Sequence, residues 1–354
     1  MDPSVLLTPE AFMRPTGGVR RYAVELEKAI GAFGSSERVG EGLGLGAGRL
    51  AGRRVGGSLA RFAVDMQASS LAKRADIAHS VYYDCSMLGK HLPLIVSFHD
   101  CIHERFAATG SVRSALLARD KRRSVERARF VLSVSESTAR DVAEFYGLGA
   151  DRSLVLNPPV SEVFTSAISP TIVNPFNKRT YFIFVGTRSA YKNWALLVSA
   201  IGSLSSEIDV ALVSVGGGPL TAEEQRLVGG AGLRGNQHEW LDRVDDSTLA
   251  TLYRGAVAAV CPSDYEGFGY PVAEALCAGG RAIASDGGSL AEFEQYGARL
   301  FPAGSMEGLR IALSAALDAG NTVVARSRAT AVARFGKSRF TEELARIYGV
   351  ACAA

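Results

Sequence analysis

Short apolar runs alternate with amphipathic segments along the chain, and the alternation starts again near the middle. Leu94–Phe98 in the first half and Tyr181–Val185 in the second have the length and continuous hydrophobicity of buried parallel strands. The second run is followed by apolar residues that share one helix face, beginning with Trp194 and Leu197. Strands that alternate with helices in this way predict parallel sheets covered by helices, so the expected fold class is α/β.

Two rounds of this alternation predict two doubly wound, Rossmann-like domains. With 354 residues, the chain is long for a single core and has the length of two average domains. The polar, proline-containing stretch from Asn157 to about Asn177 lacks periodicity and is the expected linker. We therefore expect one domain over residues 1–172 and a second over residues 173–334. Residues 40–58, rich in Gly and Arg, are interpreted as a weakly ordered connection.

Composition indicates an ordinary globular protein and excludes several classes. Apolar residues make up 47% of the chain and charged residues 21%. The formal net charge of +3 is too small to indicate a nucleic-acid partner. The five cysteines have no CxxC spacing and the five histidines form no HExxH pair, so neither a disulfide framework nor a metal site is expected. With no leader peptide and no apolar run of about 18 residues, we expect a cytoplasmic protein.

The richest candidate site is the stretch from Ser263 to Leu276, which directly follows an apolar run ending at Cys261. Glu266 opens a glycine-flanked turn, and a proline five positions later suits the first position of a helix, where its missing N–H costs nothing. Glu274 is then expected in the first helical turn, near free amide donors. Two glutamates at this spacing are common by chance, but the Gly-Phe-Gly-Tyr-Pro between them makes the segment distinctive. The arrangement suits a sugar nucleotide.

This segment closely resembles the Glu-x7-Glu signature of the retaining family 4 glycosyltransferases. The resemblance covers nearly the whole chain and is most specific at residues 181–193 and 260–292. It implies the GT-B fold, two Rossmann-like domains facing a central cleft, with the last helix, in residues 335–354, packed back on the first domain. The sequence departs from the family pattern at Gly287 and Gly288, where members usually carry bulkier small polar residues, which puts the ligand contacts there in doubt.

The resemblance also implies an activity, the transfer of a sugar from a nucleoside-diphosphate donor to an acceptor hydroxyl with retention at the anomeric carbon. No metal or other cofactor is implied. The loop Phe-Val-Gly-Thr-Arg-x3-Lys-Asn matches the family's phosphate-binding loop, so Arg188 and Lys192 would hold the diphosphate and stabilise it as it leaves. Without the resemblance, ordinary surface charge is the favoured explanation of these two cations.

By the same resemblance, Glu266 would contact hydroxyl groups of the donor sugar, and it is not assigned as a nucleophile. Glu274 would bind the ribose hydroxyls. The further donor-binding positions implied in the second half are Gly186, Gly216, Gly267, Phe268, Gly269 and Tyr270.

Candidate residues in the first half also follow predicted strands. Gly17 and Gly18 lie between a short apolar start and a helix, where a glycine pair either makes a tight turn or brings the backbone against a phosphate or a sugar. His99 lies at the carboxyl end of the strand Leu94–Phe98, where open α/β sheets place their ligands. A lone histidine is more often structural. The resemblance implies that the glycines bind at the cleft and that His99 reaches the donor sugar or the reacting centre.

A basic segment over residues 111–129 is predicted to be helical. A solvated helix face is the simplest interpretation, and contact with an anionic membrane surface is the other. Such a peripheral contact with the inner membrane would bring the enzyme to a lipid-linked acceptor.

The identity of the sugar rests on a narrower resemblance. The region Tyr82–Asp84 and the run from His99 to Phe106 resemble bacterial O-antigen and capsule transferases, many of which use GDP-mannose. The favoured expectation is therefore a mannosyltransferase of lipopolysaccharide or other surface-polysaccharide synthesis, with a glycan or lipid-linked glycan as acceptor. Alternatives are a UDP-sugar-dependent transferase, a GT-B-fold nucleotide-sugar epimerase and a noncatalytic sugar-nucleotide-binding protein. A dinucleotide-dependent oxidoreductase is disfavoured because no GxGxxG follows a strand.

Overall fold

The computed structural model describes residues 2–8, 12, 17–39, 41, 66–83, 91–106, 112–166, 179–235, 237–319 and 325–353. The strands are β1 (Ser4–Leu7), β2 (Ser35–Arg38), β3 (Ile77–Ser80), β4 (Leu94–Phe98), β5 (Phe130–Ser133), β6 (Ser153–Val155), β7 (Thr180–Val185), β8 (Val210–Val215), β9 (His238–Leu241), β10 (Ala259–Cys261), β11 (Ala282–Ser285) and β12 (Arg299–Phe301).

The helices are α1 (Gly18–Ile30), α2 (Ile102–Arg105), α3 (Val112–Arg127), α4 (Glu136–Tyr146), α5 (Glu162–Thr165), α6 (Trp194–Ser205), α7 (Ala222–Gly230), α8 (Asp246–Gly255), α9 (Tyr270–Cys277), α10 (Met306–Asp318), α11 (Ala325–Phe335) and α12 (Lys337–Ala353). Ala190–Lys192 and Ser289–Tyr296 form 3₁₀ segments, and residues 66–72 are also helical.

The chain forms two compact units. The first consists of Met1–Pro159 together with Lys337–Ala354, and the second is Val160–Gly336. The segment that begins at Val160 belongs to the second unit because the Val160 N–H donates to the Phe335 carbonyl at 2.9 Å. Most of the expected linker, residues 167–178, and most of the Gly- and Arg-rich stretch, residues 42–58, lie outside the described residues.

The first unit contains a parallel six-stranded sheet in the order β2-β1-β3-β4-β5-β6. The strands are short and almost fully buried in the middle of the sheet, as helices on both faces of a parallel sheet require. Helix α12 packs against α1 in one apolar core that includes Tyr22, Leu26, Phe340 and Leu344. The last helix of the chain is therefore part of the first unit.

The second unit contains a parallel six-stranded sheet in the order β12-β11-β10-β7-β8-β9. Successive strands run outward from β7 to β9, and the chain then returns to the other side of β7 to place β10. This is the strand order of a dinucleotide-binding Rossmann sheet, and the reversal leaves a switch point between the carboxyl ends of β7 and β10. The prediction of an α/β protein with two parallel sheets is confirmed.

Candidate active site

The loops that follow β7 and β10 are joined by three hydrogen bonds at the switch point. The Asp264 N–H donates to the Tyr191 carbonyl at 2.7 Å, and the Asn193 side chain donates to the Pro262 carbonyl at 3.1 Å and to Asp264 Oδ1 at 2.5 Å. Asn193 has a φ of 51°, in the left-handed region that asparagine tolerates better than most residues. It stands at the N-cap position of α6, but its side chain makes no cap hydrogen bond. It joins the two loops instead.

Lys192 and Glu266 form an ion pair at this junction. The ammonium Nζ lies 2.5 Å from Glu266 Oε1, and the side chains of Lys192 and Glu266 are 16% and 11% exposed. Burial is the largest single influence and favours a neutral lysine, but the charge and hydrogen bond of Glu266, together with Cys261 and Tyr191, outweigh it and raise the pKa of Lys192 above its ordinary value. Two of the charged residues picked from the sequence are thus in direct contact, although 74 positions separate them.

The hydrogen bonds that described residues donate to the Glu266 carboxylate all go to one oxygen, Oε1. Ser263 Oγ donates to Oε1 at 2.7 Å, and this is the atom that also accepts from Lys192. Among the described residues, Oε2 has no recorded hydrogen-bond partner. A carboxylate oxygen accepts hydroxyl donors well, so Oε2 is suited to a polyhydroxylated ligand.

The backbone of the Glu266 turn is held by the segment after β11. Glu266 and Gly288 form a parallel bridge, and Ser289 donates to the Glu266 carbonyl through its N–H at 3.1 Å and its Oγ at 3.0 Å. A Cβ at Gly287 would collide with the Asp264 carbonyl oxygen, and one at Gly288 would lie 2.6 Å from the Glu266 carbonyl oxygen. The two glycines that depart from the family pattern are therefore required by the close approach of two backbones.

The Gly267–Tyr270 segment leads into α9. Gly269 stands at the N-cap with φ 98°. The Phe268 ring packs at a tilt against Phe293 and edge-on against Phe335, with ring centroids 5.7 and 5.6 Å away. The Phe268 ring is thus part of an aromatic cluster inside the second unit. The helix begins at Tyr270, one residue before the proline expected at its first position.

Glu274 is therefore the fifth residue of α9 and lies just past the first turn, which corrects the expected position. It is 3% exposed, and its Oε2 accepts a hydrogen bond from Tyr253 Oη at 3.1 Å. Tyr253 is fully buried on α8. This tyrosine orients the carboxylate and has no signal in the sequence, because its contact depends on how α8 and α9 pack.

Arg188 lies in the same loop as Lys192 but has different partners. Its Nε lies 2.6 Å from Glu224 Oε1, and its Nη1 donates to the Gly216 carbonyl at 3.0 Å. The side chain is 4% exposed. Gly186, with φ 144°, follows β7, and its carbonyl oxygen lies within 3.5 Å of where a Cβ of Gly216 would stand. The structure thus groups Arg188, Gly186 and Gly216, and it turns the guanidinium toward protein acceptors.

Two protein-family models match the chain on either side of residue 165. The model described as "Glycosyltransferase Family 4" matches residues 16–162, and the model described as "Glycosyl transferases group 1" matches residues 168–330. The chain belongs to the family 4 glycosyltransferases.

Two curated bacterial relatives of this family member are mannosyltransferases. The serotype-specific mannosyltransferase WbdA of Escherichia coli is 25% identical over 255 residues, which are 68% of this chain and 31% of WbdA. The O-antigen chain mannosyltransferase RfbU of Salmonella typhimurium is 27% identical over 163 residues, which are 46% of this chain and 44% of RfbU. The chain therefore spans less than half the length of either relative.

Among solved structures, Anabaena Alr3699/HepE in complex with UDP and glucose has a TM-score of 0.76, with 17% identity, 98% coverage of this chain and 100% coverage of that chain. This likeness concerns the fold. With the two family models, it confirms the prediction of the GT-B class.

The family 4 candidates of the first unit lie at the carboxyl end of β4 and at the start of α1. His99 is buried, and its Nε2 donates to the Val81 carbonyl at 2.8 Å, which makes Nε2 the protonated ring nitrogen. Its backbone N–H donates to Tyr83 Oη at 2.9 Å. Gly17 is the N-cap of α1 with φ 106°, and Gly18 is the first residue of the helix. Residues 13–16, which precede them, lie outside the described residues.

The basic segment forms α3, and its basic side chains lie both on the solvent-exposed face and in the interior. Lys121 is fully buried, and its Nζ donates to Glu104 Oε2 at 2.9 Å and to the Asp100 carbonyl at 2.8 Å. Its ammonium also lies 5.1 Å from the centroid of the Tyr83 ring. The exposed cations on this helix include Arg119, Arg122 and Arg123.

The described residues contain no group of three or more His, Cys, Asp or Glu side chains placed to hold a metal ion. None of their helices combines the length and the hydrophobicity that crossing a membrane requires.

Proposed function

We propose that this protein transfers a sugar from a nucleoside-diphosphate donor to a hydroxyl group of a glycan or lipid-linked glycan acceptor in surface-polysaccharide synthesis. The observation that carries the proposal is the Lys192–Glu266 pair, which lies at the switch point between β7 and β10. Ligands of open α/β sheets bind outside the carboxyl ends of the strands at such a point. Membership of the glycosyltransferase family supports the same reaction class.

The reaction exchanges one glycosidic bond for another. The bond between the anomeric carbon and the β-phosphate oxygen breaks, and a bond from the acceptor oxygen to the anomeric carbon forms. The proton of the acceptor hydroxyl passes to the leaving phosphate oxygen, so the products are the glycoside and the nucleoside diphosphate. The main electrostatic demand is the negative charge that develops on the diphosphate.

Lys192 meets this demand because it is cationic, close to the switch point and partly exposed. Its raised pKa keeps the ammonium charged throughout the neutral range. Glu266 is assigned to the donor sugar because Oε2 is available to accept from sugar hydroxyls, while Oε1 is held by Lys192 and Ser263. Glu274, oriented by Tyr253, is assigned to the ribose hydroxyls.

We propose retention at the anomeric carbon, which the resemblance to the retaining family 4 enzymes implies, and independence of divalent metals, which follows from the assignment of Lys192. A carboxylate in an ion pair with an ammonium group is a poor nucleophile. The Lys192–Glu266 pair therefore favours front-face attack by the acceptor over a covalent glycosyl-Glu266 intermediate. The Lys192 ammonium supplies the positive charge at the leaving group that a metal ion would otherwise supply.

We favour GDP-mannose as the donor. Both curated relatives described above are named mannosyltransferases, and one of them acts on O-antigen chains. A UDP-sugar is the alternative, because a protein of the same fold was solved with UDP and glucose. A nucleotide-sugar epimerase is a second alternative, and it would convert the donor without an acceptor.

The test is calorimetric binding of GDP, UDP, ADP, CDP and dTDP with and without EDTA, followed by product analysis with the matching sugar nucleotide. We expect selective binding of one diphosphate that EDTA does not change, and α-configured glycoside when the donor is GDP-α-mannose. Binding of none of the five contradicts the proposal. Conversion of the donor sugar without an acceptor indicates the epimerase, and loss of transfer in EDTA contradicts metal independence.

A peripheral contact with anionic membrane remains part of this proposal, now limited to the exposed cations Arg119, Arg122 and Arg123 because Lys121 is buried. We expect binding to phosphatidylglycerol vesicles at low salt, with loss at high salt and on replacing these three arginines by glutamine. A protein that does not bind such vesicles at low salt removes this contact from the proposal.

A further inference from the structure

We propose that Arg188 and Glu224 are positioning residues that hold the Gly216–Pro219 turn in place, and that Arg188 is not a ligand of the donor diphosphate. The inference rests on the proposed function, because it assigns parts within the same nucleotide-sugar site. It separates two cations, Arg188 and Lys192, that occupy one loop and carry the same charge.

The donor hydrogens of the Arg188 guanidinium are directed at protein acceptors. Nε and Nη2 approach the two carboxylate oxygens of Glu224 at 2.6 and 3.2 Å, the fork geometry of a bidentate pair. Nη1 donates to the Gly216 carbonyl at 3.0 Å, and Nη2 also donates to the carbonyls of Gly218 and Pro219 at 2.9 and 3.0 Å. A phosphate would have to displace these partners.

The charge of Arg188 is also already matched. Hydrogen bonding to Arg188 is the largest influence on Glu224, and it lowers the pKa of this carboxylate although burial opposes it. Glu224 is itself fixed, since it forms a capping box with Thr221 at the start of α7. Lys192 differs, because among the described residues Glu266 is the one hydrogen-bond partner of its ammonium group.

The turn is built around the guanidinium. Gly216, Gly217 and Gly218 have φ values of 87°, 80° and 78°, a left-handed run that other residues rarely adopt. A Cβ at Gly217 would lie 2.7 Å from Arg188 Nη1, so a side chain there would displace the guanidinium from its present position. Trp240 Nε1 donates to the same Gly216 carbonyl at 3.1 Å.

This arrangement leaves backbone donors for a ligand. The Gly216 N–H donates to the Leu241 carbonyl, whereas no protein acceptor is recorded in the described chain for the N–H groups of Gly217 and Gly218. The turn follows β8, the neighbour of β7, so it lies at the same carboxyl edge as the switch point. Arg188 therefore acts on the nucleotide through the turn, by keeping these amides in place.

The planar fork of arginine is needed for this role, and positive charge alone is not sufficient. The test measures the affinity for GDP and UDP of Arg188→Ala, Arg188→Lys, Glu224→Gln and the double variant Arg188→Ala/Glu224→Gln. We expect each single variant to lose at least about tenfold in affinity for the diphosphate that the wild type binds, the scale of one charge-assisted hydrogen bond. The double variant should lose no more than about threefold beyond either single variant, because both substitutions break one unit.

Direct binding of the diphosphate by Arg188 predicts the opposite pattern of affinities. If Arg188 bound the diphosphate, Glu224→Gln would remove a competing anion and leave affinity equal or higher, and Arg188→Lys would retain most of it. Either result overturns the proposal. The Glu224 side chain is 19% exposed, and glutamine has the same shape, so Glu224→Gln should fold. The test can therefore be made with this variant even if Arg188→Ala does not fold.

Hydrogen exchange of the ligand-free protein gives a readout independent of binding. We expect faster exchange in peptides that cover Gly216–Glu224 in Arg188→Ala and Glu224→Gln, and wild-type exchange there in Lys192→Ala. Unchanged exchange in both of the first two variants contradicts the positioning role. A wild type that binds no nucleoside diphosphate but shows this pattern refutes the proposed function and leaves the positioning role standing.

Discussion

At the scale of single residues, two similar side chains in one loop of the site have different surroundings. Lys192 keeps a partly exposed ammonium beside Glu266, whereas Arg188 is almost completely buried between Glu224 and a glycine turn. The choice of residue type agrees with these surroundings. Arginine supplies several donors in a rigid plane, and lysine supplies a compact charge on a flexible stem.

Under the proposed function, replacing Lys192 by alanine should lower the turnover number by at least about 100-fold, because it would remove a preorganised positive charge from the leaving diphosphate. Steady-state kinetics with the donor identified by binding would measure this. Lys73→Ala is the matched control, since Lys73 is exposed in the first unit. Turnover within threefold of the wild type in Lys192→Ala would contradict the assignment of this residue.

At the scale of secondary-structure elements, α3 shows how composition alone can suggest the wrong environment. The sequence of this segment suggests a basic surface helix. Lys121 nevertheless faces the interior and pairs with Glu104 on α2. Tyr146 on α4 donates to the other oxygen of Glu104 at 2.5 Å. One buried ion pair thus ties three helices of the first unit together.

Replacing Lys121 by methionine should lower the free energy of unfolding of the first unit by about 3–5 kcal/mol, because Glu104 is left as an uncompensated buried charge. Urea unfolding of the purified protein measures the change. Arg123→Met, an exposed position on the same helix, should change stability by less than about 0.5 kcal/mol. The double variant Lys121→Met/Glu104→Gln should recover part of the loss, and no recovery would show that the ion pair is not the cause.

At the scale of the whole molecule, each unit contains a histidine that stays neutral, fully buried His79 in the first and half-buried His238 in the second. Burial, with a smaller contribution from His99, lowers the pKa of His79 to about 3, and burial together with the charge of Arg188 lowers that of His238 to about 4. His79 shares hydrogen bonds with Tyr348 on α12 at 2.5 Å and with Ser97 at 2.7 Å. The neutral ring therefore helps to attach the last helix to the sheet of the first unit.

These shifts predict that stability falls on acidification. Below pH about 6.5 the unfolded chain binds a proton at each of these histidines, whereas the folded chain does not. The contribution of the two histidines to the free energy of unfolding is therefore complete above this pH. It is lost as the pH falls toward 4, by at most about 1.4 kcal/mol per pH unit for each histidine.

Urea midpoints between pH 4 and 7 test this expectation. In His79→Asn the dependence on pH should be flatter than in the wild type, whereas His103→Asn, at an exposed position on α2, should leave it unchanged. An unchanged slope in His79→Asn would show that this histidine does not account for the loss.

The sequence by itself determined the features that short-range patterns encode. The alternation of apolar runs predicted the two parallel sheets, because burial of a strand on both faces requires a continuous apolar run. The spacing of Glu266 and Glu274 around a glycine turn identified the centre of the candidate site, because this motif lies within one loop and the helix that follows it.

Only the tertiary structure decided which partner each side chain meets. Lys192 is 74 positions from Glu266, and Arg188 is 36 positions from Glu224, so no local pattern distinguishes a cation that faces the site from one that holds a turn. The contact of Tyr253 with Glu274 has the same character. Such pairs form where helices and loops of one sheet edge converge, and that convergence is set by strand order, which a linear pattern does not contain.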